Sequence, residues 1–102
     1  MSIRRNPLAD HYDFTRLENM WVSMIGEIIE ELIATGELCD CAECVLDVSA
    51  IALNKLPTRY WVSGEFNAFT SPDSFYADPR NREQAKKAVL DAVKLVQSNP
   101  HH

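Results

Sequence analysis

All three cysteines of this 102-residue chain fall within six consecutive positions, Cys39-Asp40-Cys41-Ala42-Glu43-Cys44. Three thiols this close cannot form an ordinary disulfide framework without leaving one over. Three thiolates converging on one point do make a good partial cage for a borderline-soft metal, Zn2+ above all. Cys41 and Cys44 have the Cys-x-x-Cys spacing of zinc knuckles, whose intervening turn brings both sulfurs together, and Cys39 is near enough to supply a third. The cluster runs straight into an apolar stretch, residues 45–53, so Cys44 is expected where a buried helix begins. Helix N-terminal N–H groups would stabilise its sulfur as thiolate. A structural zinc site contributes an apparent ~10–16 kcal/mol, comparable with the whole ~5–15 kcal/mol stability of a domain.

The fourth ligand is open. His101, His102, His11, the carboxylates of Asp40 and Glu43, a thiolate of a second subunit and water all qualify. Chain geometry favours the tail, with His102 first and His101 as its substitute. The second helix runs away from the cysteines, and a third helix of ~20 residues, about 30 Å long, returns its C-terminal end to them if it packs antiparallel. A redox role fits less well, because no βαβ pattern surrounds the Cys-x-x-Cys. A catalytic zinc fits less well still, since no poised acid or base stands beside the thiolates.

Three helices are expected to position this cluster. In the first, Leu17, Met20, Trp21, Met24, Ile25, Ile28, Ile29, Leu32 and Ile33 follow i, i+3, i+4 spacing. Thr15 and Glu18 would form its capping box, and Gly36 its left-handed C-terminal cap. Its outer face carries Glu27, Glu30 and Glu31, a solvated face or an acidic partner surface. The second helix spans about Cys44 to Leu56 and is apolar nearly all round, which predicts burial on several sides, some of it by a second subunit. Pro57 ends it. Residues 58–63 are β-prone and predict one short edge strand, pairing across a dimer. Residues 65–77 read as loop, with Phe66, Phe69, Phe75 and Tyr76 as plugs onto the core. Asp78-Pro79 starts the third helix, and Asn99-Pro100 stops it.

The fold class expected is therefore mainly α: a compact three- to four-helix domain with one short edge strand, zinc-stapled and homodimeric. Residues 1–14 read as a flexible arm and 15–102 as one domain, in line with the length. A net charge of −5 argues against duplex nucleic-acid binding, which needs a basic footprint. No apolar run approaches the ~18 residues of a membrane span, and no secretion leader is visible, so no membrane association and a reducing cytoplasm are expected. Between Glu18 and Asp47 lie eight acids and no Lys or Arg, whereas the last helix holds Arg80, Arg82, Lys86, Lys87 and Lys94. Packing the first helix beside the third would bring opposite signs together.

The Cys-x-Cys-x-x-Cys cluster, followed by Asp47 and then Ala50-Ile51-Ala52-Leu53-Asn54-Lys55-Leu56-Pro57-Thr58-Arg59-Tyr60, resembles the late-competence ComFB family. That family's pattern continues from the cysteines into Ala-x-x-Leu-Asn-x-Leu-Pro-Pro-x-Tyr. The closing Pro100-His101-His102 is similar to its usual Pro-Arg-His ending. Thr58 departs from the second proline, and His101 stands where an arginine is usual. The resemblance implies a small helical homodimer with zinc at the cysteines and no enzymatic activity. It also implies a link to competence-type regulation and to cyclic dinucleotides, cyclic di-GMP or cyclic di-AMP, as ligands. Such a ligand offers two phosphates and two purine faces, which call for Arg or Lys beside planar groups. Lys55, Arg59, Tyr60 and Trp61 supply these, and Arg80 and Arg82 would add charge beside helix amides. The plainer role of Tyr60 and Trp61 is packing, and of Arg59 pairing with an acid. The function expected is a non-enzymatic regulator that receives a cyclic dinucleotide. The alternative is a structural adaptor that binds a protein partner through its acidic helix and takes no small ligand.

Overall fold

A computed structural model describes residues 6–63 and 72–98. The described chain begins with two short 3-10 turns, Pro7–Asp10 and Phe14–Arg16, and continues as strand β1 (Leu17–Asn19). Helix α1 (Met20–Ala34) and helix α2 (Ala42–Lys55) follow, then strand β2 (Tyr60–Val62), the short helix α3 (Pro72–Ala77) and the long helix α4 (Pro79–Ser98). The mainly helical expectation holds, with four helices and a two-stranded sheet among the described residues.

The first helix starts later than its apolar spacing implies. Asn19 is its cap, accepting the Trp21 N–H at 3.0 Å. The expected Thr15/Glu18 capping box does not form, because Thr15 is turned back on Asp13, whose carboxylate accepts both its N–H and its hydroxyl. Leu17–Asn19 is left extended and pairs antiparallel with β2, Leu17 opposite Val62 and Asn19 opposite Tyr60. The expected single strand is therefore one of two, its partner being a segment that the spacing assigns to the first helix.

Helix α2 begins at Ala42, two residues before the expected Cys44, and ends where Leu56 turns extended ahead of Pro57. Within one chain its full burial is a stripe, Cys44, Val48 and Ala52, with Val45, Ile51 and Leu53 partly buried beside it and Leu46 left 64% exposed. Within the stretch expected as loop, residues 72–77 are helical. Phe75 is buried as expected, while Tyr76 stays largely exposed and donates its hydroxyl to the Met20 carbonyl. Phe66 and Phe69 lie outside the described residues. Helix α4 starts as expected, with Asp78 accepting the Arg80 N–H at 2.9 Å.

The core is made by α1, α2 and α4. Trp21, Met24, Ile25 and Ile28 meet Val48, Val89 and the alanines Ala52, Ala85 and Ala92, all nearly inaccessible. Small residues on α2 and α4 let those helices approach closely, and theirs is the most extensive packing among the described elements. The Trp21 indole N–H donates to the Pro57 carbonyl at 2.6 Å, and its ring meets Phe75 edge-on at 4.7 Å. Asn81 donates to the Phe75 carbonyl at 3.0 Å. These bonds gather the start of α1, the end of α2 and the start of α4 at one pole. At the other pole the Gln97 amide donates to the Glu37 carbonyl at 3.1 Å, so α4 ends beside the loop that leads into α2. Helices α2 and α4 are thus antiparallel. Arg82 joins α4 to α1 through Glu27 at 3.0 Å and Glu31 at 2.9 Å, the meeting of opposite signs that the charge pattern implies.

Candidate metal centre

The loop that presents the cysteines is pinned before it reaches them. Gly36 adopts φ +79°, a left-handed conformation that only glycine takes at little cost. That turn lets the Glu37 and Leu38 N–H groups return to the Leu32 carbonyl at 2.9 and 3.2 Å, a helix-terminating arrangement. Leu38 is buried, so Cys39 emerges from a fixed anchor.

Cys41 is the N-cap of α2. Its Sγ accepts the Cys44 N–H at 3.4 Å, and its carbonyl accepts the Val45 N–H at 3.1 Å. One helical turn then carries Cys44 into the core, where it is 3% exposed. Cys39 is exposed and Cys41 intermediate, so the three sulfurs run from solvent to interior. All three Sγ atoms lie within 4.8 Å of one another. Tetrahedral zinc with ~2.3 Å Zn–S bonds sets its sulfurs ~3.8 Å apart, so a contraction of about 1 Å at most would meet that geometry. The donor set and its spacing fit zinc.

The helix amides act on a different sulfur from the one expected. Because α2 starts at Ala42, the Cys44 N–H points at Cys41, and this bond holds the Cys41 thiol below its ordinary pKa. Cys44 is pushed the other way, up to about 12, by its side-chain hydrogen bond to Cys41, reinforced by burial and the neighbouring sulfur charge. Among the described residues the cluster consists of the three cysteines alone; His11, Asp40 and Glu43 do not join it. His101 and His102 lie outside the described residues. The Gln97–Glu37 bond nonetheless delivers the end of α4 to the cysteine pole.

The residues expected to hold an anionic ligand are split by their partners. Lys55 and Tyr60 are exposed, and the exposed Arg59 lays its guanidinium 5.6 Å from the centre of the Phe75 ring. Trp61 is half-buried against the core. Arg80 is largely solvent-exposed and forms a two-point pair with Asp78, which holds that carboxyl below the usual range. Arg82 is committed to Glu27 and Glu31, and this also takes two of the three acids of the expected partner surface.

One surface was not found from the sequence. Leu17, Val22, Tyr60, Trp61 and Tyr76, with the polar Glu18, Asn19 and Ser23, line an open hollow of about 450 Å³. Tyr12, Asp13, Phe14, Arg16, Leu17 and Val62 line a second of about 230 Å³ next to it. The signal was present in the alternation of Tyr60 and Val62 about Trp61, but it takes on meaning only once β1 is known to be a strand.

The family model described as late competence development protein ComFB matches residues 16–100. No curated protein and no solved structure matches the chain. No helix among the described residues is long and apolar enough to cross a membrane.

Proposed function

The chain belongs to the late competence development protein ComFB family, and from that premise we propose a non-enzymatic cytoplasmic regulator, homodimeric, stapled by zinc at Cys39, Cys41 and Cys44. The observation that carries the zinc reading is the convergence of all three Sγ atoms within 4.8 Å around the start of α2. Zinc bound there would cross-link the end of the α1 loop to the first turn of α2. The chain's own residues prepare the site: Leu38 anchors the approach and the Cys44 amide favours the Cys41 thiolate, while the end of α4 beside Glu37 supports His102 or His101 as fourth ligand. Elemental analysis of protein purified without added metal should give one zinc per chain. Full metal content in a Cys41→Ser, Cys44→Ser double variant would overturn the assignment, and His102→Ala, alone and with His101→Ala, tests the tail.

The ligand proposed for this regulator is a cyclic dinucleotide. Lys55, Arg59 and Tyr60 support it: a lysine in the last turn of α2, an arginine already stacked on a ring, and an exposed aromatic side chain. Arg80 would join them by leaving Asp78, and Arg82 by leaving two glutamates, so the first three carry the reading. Calorimetry of the zinc-loaded protein with cyclic di-GMP and cyclic di-AMP should show micromolar binding to one of them, weakened at least tenfold by Arg59→Ala. No heat with either would remove the ligand and leave the zinc site standing.

A further inference from the structure

We infer that the outer edge of β2 is the homodimer contact, paired antiparallel with β2 of a second copy about a two-fold axis at Trp61. This rests on the homodimer reading above and assigns it a face.

The β1–β2 ribbon carries apolar side chains on its outer face as well as on the face toward the core. An antiparallel pair with one face on a core normally shows polar side chains on the other. Here Trp61 points inward to the core, while the outward cross-strand pair Leu17–Val62 and the neighbouring Tyr60 are apolar and 47%, 41% and 53% exposed. The two hollows extend this face on both sides and share Leu17. One adds Tyr12 and Phe14 beside Asp13 and Arg16, the other Val22 and Tyr76 beside Glu18, Asn19, Ser23 and the edge of Trp61. At ~200 Å² for a large side chain, the exposed fractions of these seven exposed apolar residues sum to about 600 Å², a surface broken by the polar Asp13, Arg16, Glu18 and Ser23 that share the hollows. That sum is near the ~800 Å² each partner contributes to a standard interface.

The backbone supplies the second observation. Met20 N–H bonds Arg59 C=O and Ser63 N–H bonds Arg16 C=O. By the alternation of an antiparallel ladder, Trp61 faces β1 while the N–H and C=O of Tyr60 and Val62 point away from it. These groups have no bonding partner among the described residues. Two such residues, two apart on one edge, are self-complementary. Tyr60 exchanges both backbone bonds with the partner's Val62, and Val62 with the partner's Tyr60, four bonds in all. The result is a closed four-stranded sheet, an isologous contact that does not propagate. A two-stranded ribbon is marginal by itself, and a four-stranded one with a covered face is not. The Tyr60 ring then lies beside the partner's Val62 side chain, where cross-strand pairs of aromatic and β-branched residues are favourable.

The test uses the zinc-loaded full chain. Sedimentation velocity should give a dimer, and amide exchange should show Tyr60 and Val62 protected only at concentrations where the dimer forms. The Trp61 amide, bonded within the chain, should be protected at every concentration. Val62→Asp should weaken association roughly 100-fold or more by burying a carboxylate at the contact, with one zinc per chain retained. A monomeric wild type at high micromolar concentration overturns both this proposal and the homodimer reading. A dimer whose Tyr60 and Val62 amides exchange freely overturns the assigned face alone, and this wild-type measurement decides even if Val62→Asp fails to fold.

Discussion

Cys41 holds two offices, helix cap and candidate ligand, and they can be separated by one substitution. Serine is among the best N-cap residues and accepts the same amide, but its hydroxyl is a poor zinc ligand. Cys41→Ser should therefore keep the helix content of the metal-free protein, read by circular dichroism, while zinc stoichiometry falls. Cys44 sets the pH behaviour. Its folded pKa is raised to about 12 against an ordinary value of 9.0, so its stabilising share is complete below pH 9 and is lost as pH rises from there toward 12. Cys41 has the opposite sign: its depressed value adds stability above the ordinary thiol range, lost as pH falls through its folded value. The metal-free protein should melt at progressively lower temperature between pH 9 and 11, and Cys44→Ala should flatten that part of the curve. Zinc must displace the Cys44 proton, so apparent zinc affinity should fall as pH is lowered, measurable by competition with a chelator. The cluster itself was visible in the sequence, because Cys-x-Cys-x-x-Cys is short-range and needs no tertiary knowledge. Which sulfur receives the helix amides was not, since a two-residue shift in the start of α2 exchanges the roles of Cys41 and Cys44.

The elements were legible where burial imposes a long period, and misread where one capping residue overrides it. Met20 to Leu32 and Ala85 to Val96 repeat over several turns, and both helices fall where the spacing puts them. Leu17 fits the α1 spacing equally well, yet Asn19 captures the Trp21 amide and leaves Leu17 outside the helix as strand. Six-residue α3 has too few turns for any period to show; it was recognisable only by Phe75 as a core plug. Two substitutions probe these joints. Gly36→Ala meets no atom within 4 Å, so its cost is the left-handed backbone alone, about 1–2 kcal/mol in denaturant unfolding. Phe75→Ala removes the ring between Trp21 and Arg59 and should cost about 3–5 kcal/mol, because α1 and α4 cannot collapse into the space without breaking the Trp21–Pro57 bond. A cost below ~1 kcal/mol would mean that α3 is not part of the folded core.

The two proposed sites lie at opposite ends of α2. The cysteines lie at the start of α2 and the ribbon beyond its end, with 14 residues, about 21 Å of helix, between them. The acidic and basic halves visible in the sequence do not link these ends. They meet in Arg82, 42% exposed and bridging two glutamates, a contact of the kind worth only a few tenths of a kcal/mol and weakened by salt. Sites this far apart with no shared partners are expected to act additively. Removing zinc with a chelator should lower the melting temperature substantially, yet at a temperature where the protein stays folded the dimer dissociation constant should change less than about threefold. Conversely, Val62→Asp should dissociate the dimer and leave zinc affinity within about threefold of the wild type. The combination of both changes should equal their product. A dimer that falls apart on chelation while circular dichroism reports intact helices would show instead that α2 transmits the state of the cysteines to the ribbon, and the zinc site would then be part of the regulation and not only of the scaffold.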